Sequence, residues 1–166
     1  MKTLLALRHA KSSHDDPSLE DHDRPLAGRG KRAAKKIARV LDEEGLWPQR
    51  ILSSTATRAA GTIRRVLEAS DQPDDYARRV EFQRDLYTFD VGELAEVIRR
   101  RGGDEDSLMI VGHNPAFENL VRYLVGKHHR FPTAALAHIR LEIDRWSELD
   151  GESGTLAGLW LPRELD

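Results

Sequence analysis

The sequence predicts an α/β protein: a three-layer α/β/α sandwich with a mostly parallel central sheet and an antiparallel edge near the C-terminus. Three observations carry this. Short, largely apolar runs recur at Leu4–Leu7, Arg50–Leu52, Val80–Phe82 and Leu108–Val111; they are too short for helices and suit strands buried on both faces. Stretches of helical periodicity separate them, so the connections are crossovers between parallel strands. Beyond the last helix, Ala134–Ile143 and Thr155–Leu161 read as two strands joined through a turn at Asp150-Gly151, which adds antiparallel pairing at the sheet's edge.

Each helix follows from its apolar spacing. Over Gly30–Leu41, Ala33, Ala34, Ile37, Ala38 and Leu41 share one face while Lys31, Arg32, Lys35, Lys36 and Arg39 lie elsewhere, the pattern of a helix lying on a sheet. A second helix over Ala56–Glu68 turns Ala59, Ala60, Ile63, Val66 and Leu67 inward, and a third over Gly92–Arg100 does so with Leu94, Ala95, Val97 and Ile98. In the fourth, Pro115 stands at the first helical position, Phe117, Leu120, Val121, Leu124 and Val125 recur at i, i+3, i+4, i+7 and i+8, and Gly126 ends the run. The stretches 14–24 and 71–79 are rich in charge and read as loops.

Composition narrows the function classes. At 166 residues, one domain over 1–166 is expected. Lys and Arg number 26 against 28 Asp and Glu, which offers no electrostatic reason to bind nucleic acid or an anionic membrane. The absence of cysteine removes disulfides, thiolate nucleophiles and Cys-based zinc sites, and fits a reducing compartment. In MKTLLALRHAK the apolar run stops at Arg8, short of the roughly seven residues of a signal-peptide core. No stretch approaches the roughly 18 apolar residues of a membrane span. A soluble, cytoplasmic protein is the expectation.

Ligands of open α/β sheets bind outside the carboxyl ends of the strands. There the first strand delivers Arg8 and His9, the second Ser53, Ser54 and, one helical turn on, Arg58, and the fourth Gly112, His113 and Asn114. A single strand-end histidine is ordinarily structural. Arg58 at the start of a helix is unfavourably placed for the helix dipole, which points to an anionic partner. Two imidazoles and two guanidinium groups converging at one edge suit phosphoryl transfer, where charge on the equatorial oxygens must be neutralised, and arginine's fork matches phosphate bidentately. No GxxxxGK[ST], GxSxG, HExxH or GxGxxG motif is present. The acidic run with His14, Asp15, Asp16, Glu20, Asp21 and His22 reads as a solvated loop rather than a metal site, and Lys11 and Ser12 as its start.

These residues carry a resemblance. "LRHAKSS" resembles the RHG signature of the histidine phosphatase superfamily, in its phosphoglycerate mutase-like branch. "LSSTATRAAGT" is similar to the second motif through Ser54, Arg58, Ala59 and Thr62, and "VGHNP" to the motif holding the second catalytic histidine. The short chain and "DRPLAGRGKRAA" narrow the resemblance to SixA-like phosphohistidine phosphatases.

The resemblance implies a cofactor-independent, metal-free phosphatase in which His9 becomes phosphorylated and water releases phosphate. It implies that Arg8, Arg24, Arg58 and His113 bind the phosphoryl oxygens, and that the substrate is a phosphorylated protein, such as a histidine phosphotransfer domain. The alternatives are a small-molecule phosphomonoesterase acting on a phosphorylated metabolite, and a non-catalytic phosphate-binding module. Two positions depart from the family. Ala10 stands where glycine is usual, a strained exchange if the backbone there has positive φ. Asp85 in "EFQRDLYTFD" best matches the glutamate many mutase-like members carry as general acid, one methylene shorter. A phosphorylated imidazole tolerates a missing acid, because it leaves neutral when its ring is already protonated.

Overall fold

The computed structural model describes residues 1–165. Along Lys2–Arg8 (β1) successive side chains enter opposite apolar layers: Leu4 and Ala6 join one core, Leu5 and Leu7 the other. Ser107–Gly112 (β4) repeats this, with Leu108 and Ile110 on the first side and Met109 and Val111 on the second. A strand buried on both faces needs no polar alternation, which is why its sequence is a continuous apolar run. Truncating any of these leucines to alanine would cost about 2–5 kcal/mol.

The remaining strands are Arg50–Ser54 (β2), Val80–Gln83 (β3), Leu136–Leu141 (β5) and Gly154–Trp160 (β6). They form one six-stranded sheet in the order β3-β2-β4-β1-β5-β6. The pairs β2/β3, β2/β4 and β1/β4 are parallel, while β5 runs antiparallel to β1 and to β6. The expected parallel sheet with an antiparallel C-terminal edge is therefore present.

Helices Gly28–Glu44 (α1) and Thr57–Glu68 (α2) cover the face holding Leu5 and Leu7. After the short Pro73–Ala77 (α3), helices Val91–Arg101 (α4) and Ala116–Val125 (α5) cover the face holding Leu4 and Ala6. Their apolar faces are those the spacing predicts. Asp90 caps α4 by accepting from Glu93 N at 2.9 Å, and Gly45 and Gly126 end α1 and α5 in the left-handed conformation that glycine adopts without steric cost.

Four expectations need correction. The stretch 14–24, read as loop, holds a 3-10 turn at Asp21–Asp23. The stretch 71–79 is not all loop, because Pro73 begins α3 and Asp74 and Asp75 favour its first turn; five residues are too few to show a period. Strand β3 is an edge strand with Phe82 40% exposed, and its apolar residues made it read as an interior one. The connection between β5 and β6 spans 142–153 and contains a 3-10 turn at Trp146–Glu148, so it is longer than a tight turn at Asp150-Gly151.

Candidate active site

Parallel pairing sets the site's geometry. Arg8 pairs with Gly112 in register, and Ser53 with Val111, so β1, β2 and β4 end together and present His9, Ser54 and His113 at one edge. The backbone of His9 continues the sheet: its N–H donates to Gly112 O at 2.9 Å and its carbonyl accepts from Ala134 N at 3.0 Å. Gly112 has to be small, since a Cβ there would stand 2.7 Å from the Phe117 ring.

The His9 ring is held by one strong bond, 2.7 Å between Nδ1 and the Ala10 carbonyl. A carbonyl only accepts, so Nδ1 carries the proton and Nε2 keeps its lone pair. Burial pushes the imidazole down to about 4, and the Arg58, Arg8 and Arg24 charges act in the same direction. His9 is therefore neutral at physiological pH. Arg58 Nε lies 3.4 Å from His9 Nε2.

His113 is 1% exposed, and its ring centre lies 5.3 Å from that of His9. Its Nε2 contacts Ser54 Oγ at 2.8 Å, while its buried Nδ1 has no partner among the described residues. Burial, then His9 and Arg58, lower His113 to about 3. Tyr87 and Phe89 pack edge-on and tilted against the ring at 5.3 and 5.4 Å, which excludes water from that side.

Arg58, 3% exposed at the start of α2, is the central cation. It donates from Nη1 to the Asp21 carbonyl at 2.6 Å and from Nη2 to Asp21 Oδ2 at 2.9 Å. The Asp21 carboxylate also accepts from Arg24 Nη2 at 2.9 Å and from the Tyr87 hydroxyl at 2.5 Å. Burial pulls this carboxyl upward, but the bonds from Tyr87, Arg24 and Arg58 outweigh it and hold it well below the usual carboxylate range. Arg24 is steadied by Ser12 Oγ at 2.8 Å. Ser12 is thus buried against Arg24 and bridged to Leu26; it is not part of a solvated loop.

Motif residues outside the charged cluster have structural work. Thr62 Oγ1 accepts from Ala10 N at 2.9 Å and donates to the Arg58 carbonyl at 2.7 Å, tying the β1 end to α2. Arg8 Nη1 donates to the Phe131 carbonyl at 3.1 Å, Asn114 Nδ2 donates to the same oxygen at 2.8 Å, and Glu118 accepts from Phe131 N at 2.9 Å. The Phe131 peptide is the fixed post against which Arg8 and Asn114 are set. Arg8 Nε remains buried with no partner among the described residues.

The structure brings Arg8, His9, Arg24, Arg58 and His113 into one cluster. Asp85 is not in it: its Oδ2 is bound by Arg101 Nε at 2.6 Å and Arg100 Nη2 at 2.9 Å, which ties it to α4 rather than to either imidazole. Ala10 carries no backbone strain, because the non-glycine residues at positive φ among those described are Ala134 and Glu152; a small, fully buried side chain is what its position requires. Sequence reasoning missed Asp21 and Tyr87. Asp21 stands three residues before Arg24, but nothing distinguished it within an acidic run.

No protein-family model matches the chain. An uncharacterized chloroplastic protein of Arabidopsis thaliana is 35% identical over 173 residues, which cover 97% of this chain and 78% of that protein. A solved structure assigned as the phosphohistidine phosphatase SixA from Agrobacterium tumefaciens superposes with a TM-score of 0.78 at 25% identity, covering 97% of this chain and 98% of that one. The protein histidine phosphatase SixA complexed with tungstate matches with the same TM-score at 23% identity, over 97% of both chains, and shares the fold. With these likenesses running nearly end to end, and the three motifs meeting at one sheet edge, the chain belongs to the histidine phosphatase superfamily, in its SixA-like group.

Proposed function

We propose that the protein is a cofactor-independent phosphatase that hydrolyses phosphohistidine on a protein through a covalent phospho-His9 intermediate. The observation that carries this reading is the Nδ1 bond of His9 to the Ala10 carbonyl. It holds a neutral imidazole with an unprotonated Nε2 beside the Arg58 guanidinium. Nε2 attacks phosphorus, the P–N bond of the substrate breaks, and the electron pair returns to the substrate imidazole. That ring leaves neutral because its other nitrogen already bears a proton. Water then attacks phospho-His9, Nε2 recovers its pair, and phosphate departs. Arg8, Arg24 and Arg58 neutralise the oxygens during both displacements, and the uncharged His113 ring hydrogen-bonds to them.

The substrate class follows from the carboxylates. Asp21 is held deprotonated by its three donors, and Asp85 is occupied by Arg100 and Arg101. Neither is set to protonate an alkoxide, whereas a phosphoramidate needs no such donor. A histidine phosphotransfer domain or similar phosphorylated protein is the corresponding partner.

The purified protein should release phosphate from phosphoramidate and from a phosphorylated phosphotransfer domain, with a base-stable phospho-His9 detected by mass spectrometry. His9→Ala should abolish turnover. Undiminished hydrolysis in that variant refutes the mechanism, and faster hydrolysis of sugar phosphates than of phosphoramidate refutes the substrate class. Phosphate binding without any intermediate or product would leave only a phosphate-binding module.

A further inference from the structure

A second concentration of positive charge lies outside the phosphoryl site. A cavity of about 470 Å³ opens between the first turns of α1, the segment 130–133 and the segment 161–164. Its wall carries Lys11, Arg29, Arg32, Lys36, Arg130 and Arg163, against one carboxylate among the described residues, Glu164. The whole chain is nearly balanced, at 26 basic to 28 acidic residues, so this imbalance is local. Lys36 Nζ is engaged by the Pro162 and Leu165 carbonyls at 3.3 and 3.0 Å, which fixes the 161–164 wall against α1.

The other five cations carry no hydrogen bond or ion pair through their side chains among the described residues. Several surface arginines elsewhere do find carboxylates, as Arg50 with Glu81, Arg79 with Asp75 and Arg99 with Glu96, so what marks the cavity is the number of cations facing one concavity. Five cations without a partner among the described residues repel one another around one concavity, and no acidic residue stands in the first turn of α1 to offset the helix dipole. A multiply charged anion relieves both. Four of the six are arginines, whose fork suits phosphate.

The size and lining narrow the ligand. The volume is that of a small-molecule site. The uncharged lining consists of Ala33, Pro132, Thr133, Leu161 and Pro162, with no aromatic ring on which a base would stack. None of Arg8, His9, Arg58 or His113 lines it, yet Lys11 follows His9 by two residues and Arg130 adjoins the Phe131 post that holds Arg8. The cavity is separate from the phosphoryl site and shares supporting backbone with it.

We propose that this cavity is a second anion site, binding a small molecule that carries several phosphate groups. Its existence does not depend on phosphohistidine turnover. The test is calorimetric titration of the His9→Ala protein, in which hydrolysis is blocked, with inorganic tripolyphosphate and with inositol hexaphosphate at physiological salt. Both arms carry clustered phosphate, one as a chain and one on a ring, and binding in either supports the site. Adding Arg32→Gln and Arg130→Gln, exposed residues with no internal bonds to lose, should weaken binding at least about tenfold, while adding Arg58→Gln should leave it within about twofold. In the wild-type background the Arg32→Gln, Arg130→Gln protein should keep its phosphoramidate turnover, which separates this site from the catalytic one. The proposal is overturned if neither compound binds, if binding is lost with Arg58 but kept without Arg32 and Arg130, or if hexaglutamate binds as tightly as the phosphates.

Discussion

Arg58 grips Asp21 twice, through its carboxylate at 2.9 Å and its backbone carbonyl at 2.6 Å. The same carboxylate spans to Arg24 and takes the Tyr87 hydroxyl. An aspartate from the 3-10 turn Asp21–Asp23 therefore sits on two guanidinium groups of the cluster, and partly neutralises them. Because Arg58 is 3% exposed and the Asp21 side chain 48% exposed, the pair is a buried cation covered by a carboxylate at the surface. In the proposed reaction a phosphoryl dianion has to compete with that carboxylate for both guanidinium groups.

Removing the competitor should tighten anion binding. In Asp21→Ala, the dissociation constant for inorganic phosphate should fall about three- to tenfold, the worth of one charge-assisted bond released for the ligand. Asp21→Asn, which keeps the shape and loses the charge, should fall between the variant and wild type. Calorimetric titration reads both. Weaker phosphate binding in Asp21→Ala would assign the carboxylate to positioning Arg24 and Arg58 instead.

Asp85 separates the acid-free reading from its alternative. A general acid contributes about 10²–10⁴-fold where an alkoxide leaves, so Asp85→Asn should leave turnover of phosphoramidate and of a phosphomonoester alike within about twofold if the residue only braces α4 through Arg100 and Arg101. A loss of a hundredfold or more on the phosphomonoester would return Asp85 to the chemistry. A change in thermal unfolding without a change in turnover is the signature of the bracing role.

The sheet and its four principal helices were legible because burial on two faces imposes a continuous apolar run and burial on one imposes a helical period. Arg8, His9, Arg58 and His113 were legible for a related reason: parallel strands align their carboxyl ends, so residues far apart in sequence could be placed together before any distance was known. Asp21 was not legible, since a carboxylate in an acidic loop gives no sign of which guanidinium it will meet. Asp85 is the opposite case. Its position after β3 matched a family role, and only the two arginines at the end of α4 reveal where its charge is spent. Ala10 looked like a strained exchange, and the backbone angle removed the strain.

The neutral imidazoles bear on stability as well as chemistry. His9 and His113 are held down to about 4 and about 3 in the folded protein, against about 6.5 when unfolded. With both values lowered, the unfolded chain binds protons that the folded one refuses. Stability is therefore retained above about pH 6.5 and lost as pH falls toward 4. Each ring adds a slope of about 1.4 kcal/mol per pH unit in the lower part of that window. His9→Ala deletes one of the two sites, so its stability should fall less steeply than wild type between pH 6 and 4.5, by about that amount per unit. Urea unfolding at several pH values measures the difference. Parallel curves would mean that His9 is already protonated in the folded protein, and a protonated ring has no lone pair to attack phosphorus. The same titration thus tests the nucleophile without any substrate present, and a steeper wild-type slope supports a His9 that stays nucleophilic well into the acid range.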